Sequence, residues 1–341
     1  MRNLTAVTVL LMLLVLAGLG WGTYWILGAS ATERGLTAWL DARRAEGWIA
    51  SAASLETHGF PNRFDTTFTA LDLDDPDTGV GWTAPLFQIL SLSYRPTEVI
   101  AVWPGEQKLR LPRETLAVSA ERMIGSLALG PSAVLPLRRL VIEGGAVEIA
   151  STRDWTAGVG AAQVALRESP GAEGAPVYDI ALSLDGFTPD SAELARLRDL
   201  VGLPEAIETV RAELTVTFDK GWDITALEDR RPQPRAVEVT TLDARWGELA
   251  LSGTGEIEVD EAGVGSGELV LEATNWRDIV ALAEASGALP ANRAPLVRAA
   301  LETLASVSGD PDRLDVTLRF SGGFLLLGPV PVGAAPVFAL P

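Results

Sequence analysis

The sequence predicts a mainly β protein with a few helices, an α+β fold, behind one N-terminal transmembrane helix. Three observations predict it. Residues 4–27 form an uncharged apolar run. Many later segments alternate apolar and polar residues with a period of two, which is typical of strands with one buried side. Two stretches between residues 276 and 306 instead carry apolar residues at helical spacing.

Composition excludes several classes of function. The 341 residues carry 45 acidic and 27 basic side chains, a net charge of −18, with no cysteine and one histidine, His58. Phosphate backbones need a basic face, so we expect no nucleic-acid partner. The absence of cysteine excludes disulfides, thiolate-bound metals and thiol catalysis, and a single histidine in a predicted turn argues against histidine-based metal sites and a Ser-His-Asp triad. We therefore expect no catalytic residues, no metal and no cofactor, and we predict that the protein is not an enzyme.

The apolar run has the length of a membrane anchor. A helix rises about 1.5 Å per residue, so 24 residues can span a hydrocarbon core of about 30 Å. Trp21, Tyr24 and Trp25 gather at one end, as in an aromatic belt. The alternative is a signal peptide cleaved at the small residues Ala29-Ser30-Ala31. Cleaved apolar regions span roughly 7–15 residues, so the sequence favours a retained anchor.

Orientation follows from the position of the span. A span at the extreme N-terminus is the usual device for exporting the chain that follows it. We expect the N-terminus in the cytoplasm, the anchor in the cytoplasmic (inner) membrane, and the bulk of the chain in the periplasm. The distribution of basic residues supports this orientation only weakly. Basic residues favour the cytoplasmic side of a span, but Arg34, Arg43 and Arg44 follow the span and would lie on the periplasmic side.

Beyond the anchor, one-sided strands predominate. Successive strand residues point to opposite faces, so each alternating segment has one apolar and one polar side. We predict a large curved antiparallel sheet, which either leaves an open apolar groove or closes into a sandwich. The alternating apolar residues are Leu90, Leu92 and Tyr94; Tyr178, Ile180, Leu182 and Leu184; Val210, Ala212, Leu214, Val216 and Phe218; Leu249, Leu251, Ile257 and Val259; and Leu314, Val316, Leu318 and Phe320.

Helices and loops divide the rest of the chain. Helices are predicted over 32–51, 191–201, 276–285 and 295–306, and the last two form a hairpin joined by 287–293. Polar loops are predicted over 168–176 and 228–235. The resulting organisation is an anchor at 1–31, a first β-rich half at 32–227 and a second half with the hairpin at 236–341. One continuous domain after the anchor is the alternative.

Two motifs point to turns rather than to chemistry. Asp72, Asp74, Asp75 and Asp77 are dense, but a calcium-binding loop needs glycine at its sixth position and glutamate at its twelfth. Asp77 and Thr83 stand there instead, so a solvated turn is predicted. Gly253-Thr254-Gly255 is followed by more strand, whereas a phosphate-binding loop precedes a helix.

Several stretches resemble one family. They are Gly47-Trp48 with Gly59-Phe60-Pro61-Asn62-Arg63-Phe64-Asp65, Trp82-Thr83-Ala84-Pro85 with Tyr94-Arg95-Pro96 and Ala101-Val102-Trp103-Pro104, and Ser321-Gly322-Gly323-Phe324 with residues 327–333. Together with the anchor they resemble the uncharacterised Gram-negative envelope family catalogued as domain of unknown function 2125. Its layout is similar to that of AsmA-like envelope proteins. That similarity implies an anchored β-sheet that offers an apolar groove to lipid chains.

We therefore expect a membrane-anchored envelope protein that contacts the membrane through its N-terminal helix and binds phospholipid or acyl chains in a β-groove. The alternative is a periplasmic scaffold that binds other proteins through sheet edges or loops. If a groove exists, we expect the C-terminal alternating segments to line it: Leu249, Leu251, Ile257, Val259, Leu314, Val316, Leu318 and Phe320.

Overall fold

The computed structural model describes residues 2–172, 176–190, 192–285, 289–308, 310–328 and 330–340. The chain divides into two compact units. Unit 1 comprises Met1–Ser119 and Met123–Leu127, and unit 2 comprises Ala120–Arg122 and Ala128–Pro341. The loop at 228–235, a candidate boundary from the sequence, lies inside unit 2. The Asp219 carboxylate holds this loop, accepting hydrogen bonds from Arg230 and from the Gln233 backbone N–H.

Helix α1 extends from Arg2 to Ala45, so the predicted anchor and the helix after it form one continuous helix. The prediction that helix continues to Ser51 is wrong, because Ile49–Ser51 is strand β1. Gly47 explains the end of the helix. Its φ is +95°, a conformation that glycine adopts at little cost and that commonly ends helices.

Unit 1 is an antiparallel sheet. Strand β3 pairs with β1 and β2 on one side and β4 on the other; β4 then pairs with β5 and β6, and β6 with β7. The C-terminal half of α1 packs on this sheet, where Leu40 contacts a core containing Phe68 and Leu71. The remaining strands are β2 (Ser54–His58), β3 (Arg63–Asp75), β4 (Val80–Leu92), β5 (Arg95–Val102), β6 (Glu106–Leu111) and β7 (Glu114–Leu129).

Unit 2 is an antiparallel meander in which each strand pairs with the next. The predicted mainly β, antiparallel class is thus confirmed. The strands are β8 (Leu137–Ser151), β9 (Thr156–Glu168), β10 (Val177–Asp190), β11 (Ile207–Phe218), β12 (Pro234–Trp246), β13 (Leu249–Val259), β14 (Gly265–Thr274), β15 (Arg313–Ser321), β16 (Phe324–Leu327) and β17 (Val330–Ala334). Helices α2 (Ala192–Val201) and α3 (Thr225–Glu228) flank β11, and α4 (Trp276–Ala285) and α5 (Ala294–Ser308) separate β14 from β15.

The predicted helical hairpin is present as α4 and α5, although Ser286, Gly287 and Ala288 of its link lie outside the described residues. Its inner side packs on β15 and β16. Trp276, Val297 and Leu301 bury against Leu314 and Val316 there. Burial of these apolar surfaces drives the packing of the hairpin onto the sheet. Leu296 and Leu304, which also fit the helical pattern, point to solvent.

The C-terminal segment crosses the end of the sheet opposite α4. Phe338 packs against Phe320, with ring centroids 6.0 Å apart, in a cluster that includes Ile257 and Val259. Gln233 fixes this segment by donating to the Leu340 carbonyl (3.1 Å) and accepting from the Leu340 N–H (2.9 Å). The hairpin and this segment therefore cover different parts of the same strands.

Candidate functional site

One face of the unit 2 sheet is apolar from β8 to β15. Directly opposed residues of an antiparallel pair share a face, so the register defines continuous rows. We call this side the apolar face. Its middle row is Ile142, Val164, Leu182, Ala212, Leu242, Gly253, Leu271 and Val316. The next row is Leu140, Leu166, Ile180, Leu214, Val239, Gly255, Leu269 and Leu318.

The opposite face is polar, as the alternation predicts. Arg167 pairs with Asp179 across β9 and β10 at 3.0 Å, and Arg211 pairs with Asp185 at 3.2 Å. Burial alone would raise the pKa of Asp179, but hydrogen bonds from Ser169, Arg167 and Thr215 outweigh it and lower the pKa below its usual value. The carboxylates of this face are thus held by cations and hydroxyls.

All eight residues predicted to line a groove lie on the apolar face, but most are covered. Helices α4 and α5 cover Leu314, Val316 and, in part, Leu318. The C-terminal segment packs over Ile257, Val259 and Phe320. Leu249 is also buried, and Leu251 is partly exposed. In this structure these positions form core, and contact with an acyl chain there would require the covering segments to move.

The apolar face is open farther along the same row, in what we call the open strip: Ile142, Val164, Leu182, Ala212 and Leu242. Each of these side chains is partly or fully exposed, and Val164 is 41% exposed. None belongs to a cluster of buried residues within the described part of the chain. Adjacent solvent-facing aliphatic side chains on neighbouring strands form a surface that an apolar ligand can cover.

An aromatic group lies on the same apolar face, two rows along the strands from the open strip. Tyr178 and Phe218 stack edge to face with ring centroids 5.9 Å apart, and Phe218 and Trp222 do so at 5.6 Å. The Trp222 backbone N–H donates to the Tyr178 hydroxyl at 3.0 Å. Burial raises the pKa of the Tyr178 hydroxyl, and the N–H bond opposes this. Tyr178 is buried in a cluster with Val216 and Phe218.

The open strip was not predicted from the sequence. Alternation placed Leu182 and Ala212 on one face, but strands β8 and β9 were not among the predicted strands. A signal was present, because Ala162, Val164 and Leu166 alternate with Gln163 and Arg167. The sequence could not show that α4, α5 and the C-terminal segment cover one part of the face and leave another uncovered.

The aromatic residues at the end of the apolar run of α1 have protein partners. The Trp21 and Trp25 indole N–H groups donate to the carbonyls of Pro61 (2.9 Å) and Arg63 (2.7 Å). The Tyr24 hydroxyl donates to the Ser93 carbonyl at 2.5 Å. These three bonds attach the sheet of unit 1 and its turns to α1 at the level of the predicted aromatic belt.

No group of three metal-ligating side chains occurs among the residues that the structure describes. The acidic cluster is explained by ion pairing, since Arg110 contacts Asp72 at 3.0 Å and Asp74 at 2.6 Å. Asp75 caps the turn that follows β3, accepting from Asp77 and Thr78. His58 is exposed and lies 3.2 Å from Glu56.

These features define a class: a β-sheet protein with a single helix, among the described residues, that is long and apolar enough to cross a membrane. The chain belongs to a bacterial family described as "Uncharacterized protein conserved in bacteria (DUF2125)", whose model matches residues 25–336. This confirms the family resemblance seen in the sequence. No curated protein and no solved structure matches the chain. The similarity in layout to AsmA-like proteins is therefore supported by neither comparison.

Proposed function

We propose that this protein is a non-enzymatic, single-pass protein of the cytoplasmic membrane whose periplasmic sheet binds the acyl chains of phospholipid on the open strip. The observation that carries the proposal is the row Val164, Leu182, Ala212, Leu242. Four neighbouring strands present aliphatic side chains that belong to none of the buried clusters formed by the described residues. Water contact with such a row is unfavourable by about 25 cal/mol per Å², so an acyl chain covering it gains free energy.

Retention of the anchor is supported by its contacts. Cleavage at Ala29-Ser30-Ala31 would remove Trp21, Tyr24 and Trp25, and with them three hydrogen bonds to the rest of unit 1. It would also separate two residues packed on the sheet from it, because Ala29 is buried and Gly28 lies against the Phe64 ring. A cleaved signal peptide has no need of such contacts.

Topology is tested with reporter fusions. A reporter fused after Pro341 is expected to be active in the periplasm, and the protein should stay in the membrane after salt and carbonate washes. A mature N-terminus at Ala31 or Thr32 in a soluble fraction would contradict the anchor. A cytoplasmic reporter would contradict the orientation.

Lipid binding is tested by native mass spectrometry of the full chain released from detergent. The wild type is expected to retain phospholipid at a defined stoichiometry after weakly held lipid has been stripped. Leu182→Gln places an amide in the open strip and should reduce that retention severalfold, because an acyl chain cannot satisfy the amide. Ser183→Gln, one residue away on the polar face, is the matched control and should retain lipid as the wild type does.

Two outcomes would overturn lipid binding. One is a folded wild-type protein that retains no phospholipid, and the other is equal retention by the two variants. Either would leave the periplasmic scaffold, which binds other proteins, as the better account.

A further inference from the structure

Two turns of unit 1 form one surface beside α1. The first turn, residues 59–62, joins β2 to β3, and the second, residues 93–94, joins β4 to β5. The Ser93 N–H donates to the Asn62 carbonyl at 2.8 Å, and the Ser93 hydroxyl contacts the Pro61 carbonyl at 3.4 Å. Ser93 is fully buried between them. We call this surface the paired turns.

The paired turns are fixed at one height along α1. The Phe60 ring meets the Trp25 ring edge to face, with centroids 5.5 Å apart. The Trp21 indole reaches the Pro61 carbonyl at 2.9 Å, and the Tyr24 hydroxyl reaches the Ser93 carbonyl at 2.5 Å. Contacts to both turns from one helical turn hold them level with residues 21–25.

That height coincides with the edge of the hydrocarbon. About 20 helical residues cross a core of about 30 Å, so a core that begins at Leu4 ends near Thr23. If the core instead extends to Leu27, the apolar end of the run, residues 21–25 lie inside it. In either register the paired turns stand at the depth of the headgroups or deeper, directly beside the span.

The outward side chains of the paired turns suit that depth. Phe60 is 60% exposed and Tyr94 is 59% exposed. Aromatic rings favour the membrane interface, where an apolar body and a polar edge are both accommodated. The flanking Arg63 and Arg95 are also exposed. They are balanced by Asp65 at 3.0 Å and Glu98 at 3.5 Å, so the surface has no net cationic patch.

We propose that the paired turns insert Phe60 and Tyr94 into the phospholipid headgroup region of the bilayer that α1 spans. The occupant of this surface is the leaflet itself, because the surface is continuous with the spanning helix. The inference rests on the proposed anchor. It adds a second lipid contact, which holds the sheet of unit 1 against the membrane surface, in addition to the contact that α1 makes.

Nitroxide labels on the full chain, reconstituted in phosphatidylcholine–phosphatidylglycerol vesicles, test this directly. The chain has no cysteine, so each variant carries a single label. Phe60→Cys and Tyr94→Cys report on the paired turns. Val80→Cys, 41% exposed at the far end of β4, is the aqueous control. Leu16→Cys reports on the span. Oxygen concentrates in the bilayer, and a water-soluble nickel chelate is excluded from it.

Labels at Phe60 and Tyr94 are expected to be several-fold less accessible to the nickel chelate than the label at Val80, and more accessible to oxygen. Nickel accessibility at both turns equal to that at Val80, with Leu16 inside the bilayer, would overturn the inference and leave the anchor intact. An aqueous label at Leu16 would overturn the anchor itself.

Discussion

Gly255 of β13 and Gly267 of β14 each face the main chain of the other strand. A Cβ atom on Gly255 would collide with the Glu268 carbonyl oxygen and lie 2.8 Å from Leu269 Cα. A Cβ atom on Gly267 would collide with the Glu256 carbonyl oxygen and lie 2.9 Å from Ile257 Cα. The two strands therefore approach each other too closely for any side chain at these positions.

Gly255→Ala is accordingly expected to destabilise the protein by roughly 3 kcal/mol, the upper end of the cost of overpacking, because a backbone carbonyl cannot move aside as a side chain can. Gly145→Ala in β8 is the control, since its added Cβ would have no atom within 4 Å. Denaturant unfolding of the full chain in detergent measures the stability of both variants. Equal losses of stability would show that the close approach of β13 and β14 is not the cause of the destabilisation.

The one-sided packing of β15 is tested by two neighbouring positions. Val316 is buried beneath α4 and α5, whereas Thr317 is exposed on the polar face. Val316→Asp should cost about 3 kcal/mol or more, because it buries a charge among apolar groups. Thr317→Asp should stay within about 0.5 kcal/mol. The same denaturant titration measures the free energy of unfolding of both variants. Similar losses of stability in the two would refute the assignment of faces.

The docking of the unit 1 sheet on α1 is tested by two helical glycines. Replacing helical Gly with Ala normally stabilises by about 1 kcal/mol. Gly35→Ala should show that gain, since nothing lies within 4 Å of the added atom. Gly28→Ala should instead lower the thermal midpoint, because its Cβ would be 2.5 Å from Phe64 Cζ. A rise in the thermal midpoint of both variants would mean that Gly28 does not pack against Phe64 in the folded protein.

The loop at 228–235 should be sensitive to acid. Burial raises the pKa of Asp219, but hydrogen bonds from the Gln233 N–H and from Arg230, with the charge of Arg235, lower it below 3.8 overall. A carboxyl group whose pKa is lower in the folded state than in the unfolded state stabilises the fold at pH values above its unfolded-state pKa. This stabilisation is lost as the pH falls through its folded-state pKa. Asp219→Asn should therefore destabilise the protein at pH 7, and the difference from wild type should shrink below about pH 3.8. A difference that is constant with pH would exclude an ionic role for Asp219.

The sequence predicted the strands and helices better than it predicted which of them pack together. Alternation in β10, β11, β13 and β15 assigned their faces, because the register preserves the period of two. Helical spacing identified α4 and α5 to within two residues. The helical pattern of α5, however, did not distinguish buried Val297 and Leu301 from exposed Leu296 and Leu304. That distinction depends on where the hairpin meets the sheet.

The candidate site was harder to predict for the same reason. Leu314 and Leu182 look alike in the sequence, each one member of an alternating strand. Leu314 lies under Trp276 and Leu301, whereas Leu182 lies in the uncovered part of the same face. Long-range coverage by α4, α5 and the C-terminal segment separates them, and no local pattern encodes it.

The most direct test of lipid binding is photocrosslinking in intact membranes from position 182. A photoreactive diazirine amino acid replaces Leu182 in one protein, Ser183 in a second and Leu16 in a third, and crosslinked lipid is identified by mass spectrometry. Leu16 should crosslink lipid because it lies in the anchor. Phospholipid acyl adducts are expected at Leu182 and none at Ser183. Adducts at Leu16 with none at Leu182, or equal adducts at Leu182 and Ser183, would contradict lipid binding on the open strip.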